Sequence, residues 1–323
     1  MAINVSAAKR GFLYNPASQS LGIYVNGVNV ADYPTNMGRV YHVNNITGSS
    51  GADGLSWGSA MDQVSTAIDA SEVYRQLGYG KPDVTTNDYV RNTILVQGTG
   101  TAYTLCDSLP NYCDIIGIGA DPRGNGGGIA RVSATTGVDT VDEATGVRGL
   151  NIYNMQFTGS GTGYAMDLAV AFRCRFENCV FTNKSTGGIR ILTGGGIVIK
   201  DCSIGAADTT TCTTGLTIGS SGGNFNNCLV ENNVIHGTTL AINNTAYLCN
   251  GTRFDHNLCF SEGTYAISDT SSQTGYPGLA WYTQNFVRAA TTAFVITNGS
   301  GRAIGNLVVN NTTGATLTEY TDQ

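Results

Sequence analysis

Charge is scarce in this 323-residue chain: Asp, Glu, Lys and Arg together make up 12% of it, and histidine occurs three times. The 17 basic residues are outnumbered by 23 acidic ones, giving a net charge of −6, and the longest basic pairing is Lys9-Arg10. A nucleic-acid partner needs a basic stripe to displace counterions, and none is visible, so no nucleic acid is expected as a partner. Proline is also rare, with six residues. No run of about 18 consecutive apolar residues occurs, so no helix is expected to span a membrane. The opening Met1-Ala2-Ile3-Asn4 lacks the basic start and apolar core of an export leader. Synthesis in a cytoplasm is therefore the expectation, with the nine cysteines reduced there. Their odd number and unpaired spacing argue against a disulfide framework. No histidine lies at finger spacing from a Cys pair, so neither a metal nor a cofactor is expected.

What is plentiful is glycine, at 43 residues, and apolar side chains, at 41%. The apolar share is too high for disorder, and short β-branched runs cut by Gly and Asn indicate an all-β array. After residue 147 a repeat becomes readable: apolar, any, polar slot, any, any, apolar. It fits Ile152–Phe157 with Asn154 in the slot, Phe176–Phe181 with Asn178, and Ile199–Ile204 with Asp201. Further copies are Val230–Ile235 with Asn232 and Phe254–Cys259 with His256, then weaker ones near Gln284 and at Ile304–Val309 with Asn306. A second strand recurs as apolar-any-apolar triplets at Met166/Leu168, Ile189/Ile191, Leu216/Ile218, Leu240/Ile242, Tyr265/Ile267 and Phe294/Ile296. Two strands repeating in one order, with connections too short for helices, cannot build a βαβ sheet. Stacking each strand on its own copy gives parallel ladders about 4.8 Å apart. The expected fold is a single-stranded right-handed parallel β-helix, with one coil per 22–31 residues.

The organisation read from the chain is an N-terminal docking arm over 1–40, an entry segment with a capping helix over 41–90, the β-helix over 91–313 and a tail over 314–323. In the arm, residues 23–30 predict a hairpin turning at Asn26-Gly27, a dipeptide that tolerates φ > 0. Tyr41-His42-Val43 opens the entry segment. Helical spacing of Met61, Val64, Ala67, Ile68, Tyr74 and Leu77 predicts a helix from Ser59 to Leu77. Ser59 is its expected N-cap and Asp62 its N3 residue, while Gly78, Gly80 and Pro82 stop it. Its expected role is a lid on the first coil, with Trp57 part of that cap.

Several columns carry candidate chemistry. Cys174 and Cys228 are expected as core residues two coils apart, Cys259 in an apolar column, and Cys179 and Cys202 as a reduced stacked pair. The slot residues are expected to tolerate left-handed backbone and to hydrogen-bond from coil to coil as an internal amide ladder. The column before each slot (Tyr153, Glu177, Lys200, Glu231, Asp255) should face outward. Glu231 and Asp255 on adjacent coils could stand about 5 Å apart, the separation of a retaining glycosidase, and are the candidate acid/base pair. Alternation through Lys200 argues instead for a charge ladder. Asp167 and Arg190 are expected as an ordinary surface pair. The triplet Gly194-Gly195-Gly196 reads as a coil turn.

These residues resemble the pectate-lyase-like right-handed β-helix superfamily, and 53–60 (DGLSWGSA), running into Ile68-Asp69, resembles the entry and capping helix of such domains. The resemblance is specific for fold, not activity. Pectate lyases hold calcium with an aspartate cluster, and no such spacing is found. Of the polygalacturonase blocks only a scrap, Ile189-Arg190-Ile191-Leu192, remains. Fold, leaderless start and arm together resemble a bacteriophage virion protein: a tailspike, short fibre or capsid-decoration subunit. That resemblance implies a homotrimer at the virion surface, docked to other capsid or tail proteins through the arm, with host surface glycan as a further partner. The alternatives are a glycan depolymerase, hydrolase or lyase, and a non-enzymatic glycan-binding adhesin.

Overall fold

A computed structural model describes residues 10–15, 20–25, 28–33, 37–77, 90–104, 108–124, 126–134, 138–182, 184–205, 212–220, 222–271, 280–297, 301–310 and 313. The expected Asn26-Gly27 turn, the helix stop at Gly78, Gly80 and Pro82, and the 314–323 tail lie outside them.

Apolar residues in these short runs alternate with polar ones, so each run buries one face, and the faces close on a common interior. Three parallel sheets result. Sheet I has ten strands, from Met37–Val43 to Gly301–Ile304. Sheet II has eight, from Arg131–Ala134 to Leu307–Asn310, and sheet III has nine, from Asp142–Glu143 to Thr292–Ile296. Each coil visits the three in the order III, I, II. This is the expected right-handed parallel β-helix. In sheet I, Ile94, Ile115, Ile152, Phe176, Ile199, Val230, Phe254 and Tyr282 lie rung over rung. All eight are at most 2% exposed.

The sheet begins earlier than the sequence indicated: Met37–Val43 pairs in parallel with Arg91–Gln97, so the supposed entry segment is itself the first rung. The helix spans Val64–Leu77. Ser59 is not its N-cap but the last residue of a separate 3₁₀ turn, Trp57–Ser59, capped by Ser56. Its face (Val64, Ala67 and Ile68) is buried against the first rungs as the expected lid. Asn92 donates to the carbonyl of Ser71, and the Tyr41 hydroxyl to that of Ala70. Trp57 packs edge-on to His42, ring centres 4.7 Å apart. Further upstream, Arg10–Asn15, Ser20–Val25 and Val28–Tyr33 form a three-stranded antiparallel sheet, one strand more than the expected hairpin.

Two of the three corners of each coil use left-handed backbone. The slot column, from sheet I to sheet II, has φ between 50 and 57° at Asn154, Asn178, Asp201, Asn232, His256 and Gln284. The last slot is Gly305, not Asn306: Ile304 pairs with Thr283 and Val308 with Val287, so the final template is shifted by one. The second corner, from sheet III to sheet I, places Tyr112, Gly149, Arg173, Gly196, Asn227 and Gly251 at φ 49–65°.

The principal amide ladder sits one residue past the slots. Asn233, Asn257, Asn285 and Asn306 pass hydrogen bonds from coil to coil at 2.9–3.0 Å, and each donates to a sheet I carbonyl. Earlier coils fill this column with Met155, Cys179 and Cys202, all buried. In the slots themselves, the amide bonds link Asn178 to Asn154 at 3.0 Å and Asn232 to Asp201. All eight described cysteines are reduced and buried, Cys179 beside Cys202 as expected. Burial pushes the thiols of Cys174 up to about 11 and Cys228 up to about 12.

Candidate functional site

Sheet I carries the acid pair singled out from sequence. Glu231 and Asp255 are register partners on neighbouring coils. Each already has a cation: Lys200 Nζ lies 3.2 Å from Glu231, and Arg253 Nη2 lies 2.7 Å from Asp255. Asp255 also accepts from the Thr283 hydroxyl at 2.5 Å and lies 3.3 Å from His256 Nδ1. Its side chain is 8% exposed, so the outward column is partly covered here. Both carboxylates are thus engaged by neighbouring side chains, with the alternating charges of the ladder that Lys200 indicated.

Sheet III brings together residues that the sequence did not connect. Asp142 and Asp167 are register partners, and carboxylates of Asp139, Asp142 and Asp167 lie within 4.8 Å of one another. Asp139 accepts the Tyr164 backbone N–H, while Arg190 forks onto Asp167, Nε donating at 2.7 Å, and its guanidinium lies 4.5 Å from the Tyr164 ring centre. The Asp167–Arg190 pair is half-buried rather than a plain surface pair: the Asp167 side chain is only 9% exposed. The cluster was missed because Asp139 approaches from the loop ahead of the strand, out of the repeat register.

The corner between sheets III and I holds a groove of about 590 Å³. Its origin is visible in the stacking. The last strand position reads Arg148, Phe172, Gly195, Asn226 from coil to coil. The corner position beside it reads Gly149, Arg173, Gly196, Asn227. Gly195-Gly196 thus removes both side chains of one coil between Phe172-Arg173 on one side and Asn226-Asn227 on the other. A gap one rung thick, about 4.8 Å, is left open. The triplet read as a plain turn is the floor of this groove, and paired glycines at a corner position were the available signal. The guanidinium of Arg148 lies 5.3 Å from the Phe172 ring centre. Neither Arg148 nor Arg173 forms a salt bridge among the described residues. Asn224 also lines the groove, and its Oδ1 is buried without a hydrogen-bond donor.

Sheet II presents the fourth feature. Its outward column runs Ser203, Val234, Leu258, Phe286, Leu307. Val234 and Leu258 are each 41% exposed and Leu307 55%. Phe260 lies beside Phe286, ring centres 6.0 Å apart. In the earlier coils the same column reads Arg131, Gln156 and Val180 and is covered: Gln156 is 7% and Val180 5% exposed, and Gln156 donates to the Pro122 carbonyl of an overlying loop. Among the described residues, a loop covers this face in the first coils and the apolar part is exposed.

No protein-family model, curated protein or solved structure matches the chain.

Proposed function

We propose that this protein is a structural or attachment subunit of a bacteriophage particle, which associates side by side with copies of itself as a homotrimer and docks onto other virion proteins through its N-terminal strands. The apolar column of sheet II carries the proposal. Val234, Leu258, Phe286 and Leu307 form a contiguous stripe parallel to the solenoid axis, and contiguous exposed apolar surface marks an interaction site. A stripe in that direction suits parallel copies around a rotation axis along the solenoid, since each copy then offers the same four rungs to its neighbours. A β-helix supports such a role because its strands pair from coil to coil along the whole solenoid. The cations held on Glu231 and Asp255 favour a surface module over a glycan depolymerase.

Light scattering on the purified full chain tests the proposal, with a mass three times that of one chain as the expected result. The Leu258→Glu variant places a charge in the middle of the stripe and should run as a monomer with an unchanged circular dichroism spectrum. A monomeric parent that fails to bind particles stripped of it overturns the reading.

A further inference from the structure

Charge is the unusual property of the corner groove. Arg75, Arg91, Arg123, Arg175, Arg190 and Arg253 each hold a carboxylate elsewhere in the chain. Arg148 and Arg173 form no salt bridge among the described residues; both are exposed, and both line the groove. Arg148 is the register partner of Phe172, and Arg173 follows Phe172, so the two arginines occupy adjacent rungs and adjacent columns. A rung spacing of about 4.8 Å and a rise of about 3.4 Å per residue put their Cα atoms about 6 Å apart. The glycine pair seats one of them: a Cβ on Gly196 would lie 3.6 Å from Cγ of Arg173, and one on Gly195 would lie 3.4 Å from the Phe172 ring. The asparagines offer little that would recognise a hydroxyl-rich ligand. Asn226 Oδ1 accepts the Asn250 N–H at 2.9 Å, Asn227 Oδ1 lies 2.6 Å from the position of a Cβ on Gly251, and Asn224 Oδ1 is buried. The surface therefore presents two guanidinium groups beside one aromatic ring.

We infer that this groove binds an extended acidic segment of a protein partner, with carboxylates at alternate positions of the segment on Arg148 and Arg173. In an extended chain, alternate side chains share one face about 6.8 Å apart, close to the spacing of the two arginines. A guanidinium grips a carboxylate with two parallel N–H bonds, which fixes orientation as well as charge. The Phe172 ring gives an apolar or aromatic side chain two positions further on a surface to pack against. The chain as a whole carries a net charge of −6, which disfavours an acidic partner over most of its surface. Charge complementarity therefore directs such a segment to this corner. The site lies away from the apolar stripe of sheet II, and its occupancy does not require self-association.

Titration calorimetry of the full chain provides the test. The probe is the acetylated, amidated peptide Gly-Glu-Ser-Glu-Ser-Phe-Gly, beside the same peptide with Gln in place of both Glu residues. The acidic form should bind about tenfold or more tightly than the Gln form, and the difference should shrink between about 50 and about 500 mM sodium chloride. Arg148→Gln and Arg173→Gln should each weaken binding of the acidic peptide about threefold or more, with thermal midpoints within a few degrees of the parent. Arg123→Gln, which changes a salt-bridged arginine elsewhere, should leave binding unchanged. Leu258→Glu should bind the acidic peptide as the parent does, whatever its oligomeric state, which separates this site from the stripe. Equal affinity for the two peptides, no binding of the acidic one, or full binding by both arginine variants overturns the inference. Displacement of the acidic peptide by a lower concentration of a hyaluronan hexasaccharide would also overturn it, by assigning the groove to a saccharide. If Arg173→Gln failed to fold, Arg148→Gln with the peptide pair would decide alone.

Discussion

At the scale of single residues, the conformational roles were more legible than the hydrogen-bond roles. A repeated Asn, Asp or His between two apolar residues signals left-handed backbone, and the slot column has it. The buried amide ladder was placed one residue early, because Asn233, Asn257 and Asn285 each follow a polar slot residue and nothing local distinguishes the two. Asn257 now receives two bonds from Asn233 and makes three with Asn285 and Val230. Asn257→Ala leaves several of these buried groups unpaired, at about 1–3 kcal/mol each, so a loss of about 3 kcal/mol is expected in urea denaturation. Cys179→Ala, in the same column of an earlier coil, should cost less, since the thiol acts mainly as a small hydrophobe.

Asp269 is another polar residue that the apolar template passed over. It occupies the interior column between Asn244 and Ile296, fully buried, and accepts from the Tyr282 hydroxyl at 3.0 Å and the Ser271 hydroxyl at 2.6 Å. Burial raises its carboxyl above the ordinary value, against the lowering effect of those hydrogen bonds. A raised folded-state value means that the protonated form favours folding. That contribution is complete below the unfolded value, about 3.9, and is lost as pH rises through the folded one. Thermal midpoints of the parent should therefore fall from acidic to neutral pH relative to Asp269→Asn, which cannot ionise. Parallel pH profiles for the two proteins would contradict this.

At the scale of elements, the strands were readable wherever the apolar periodicity held and slipped wherever a polar residue pointed inward. The periodicity indicates Leu240/Ile242 and Tyr265/Ile267 as interior pairs, whereas the registered pairs are Ile242/Asn244 and Ile267/Asp269, two residues on. A template that requires apolar residues inside moves to the next alternating pair, and the period of two keeps the same face. In the last coil the slip was a single residue and exchanged faces, so Ile304 was counted as core although it is 52% exposed. The helix was recognised by its periodicity, but its start was set too early because Ser59 offers capping chemistry to the 3₁₀ turn as well. Its role as a lid predicts a polarised defect: Ile68→Ala should cost about 3 kcal/mol. Hydrogen exchange should then speed up in Met37–Val43 and Arg91–Gln97 before it changes in the last coils, because each coil is stabilised mainly by its neighbours. Uniform acceleration along the chain would contradict the lid assignment.

At the scale of the whole molecule, the solenoid follows from repetition that the sequence displays, whereas the surface features depend on what one coil lacks relative to the next. The groove exists because two side chains are missing at one rung. Among the described residues, the exposed stripe exists because a loop covers the first coils of sheet II and not the later ones. The aspartate cluster needs a loop residue to meet a strand. None of these is a motif along the chain; each is a relation between residues about 23–31 positions apart, visible only once the register is known. That register is the central claim, and interspin distances measure it directly. The eight described native cysteines are buried, so with Cys106→Ser in the background nitroxides can be placed selectively at cysteines engineered on the outer face of sheet I, in samples diluted with unlabelled protein. Labels at 175 and 281 lie four rungs apart and should give about 19 Å, and labels at 151 and 302, six rungs apart, about 29 Å. A second distance no longer than the first, or broad distributions for both, would contradict the stacking of coil on coil.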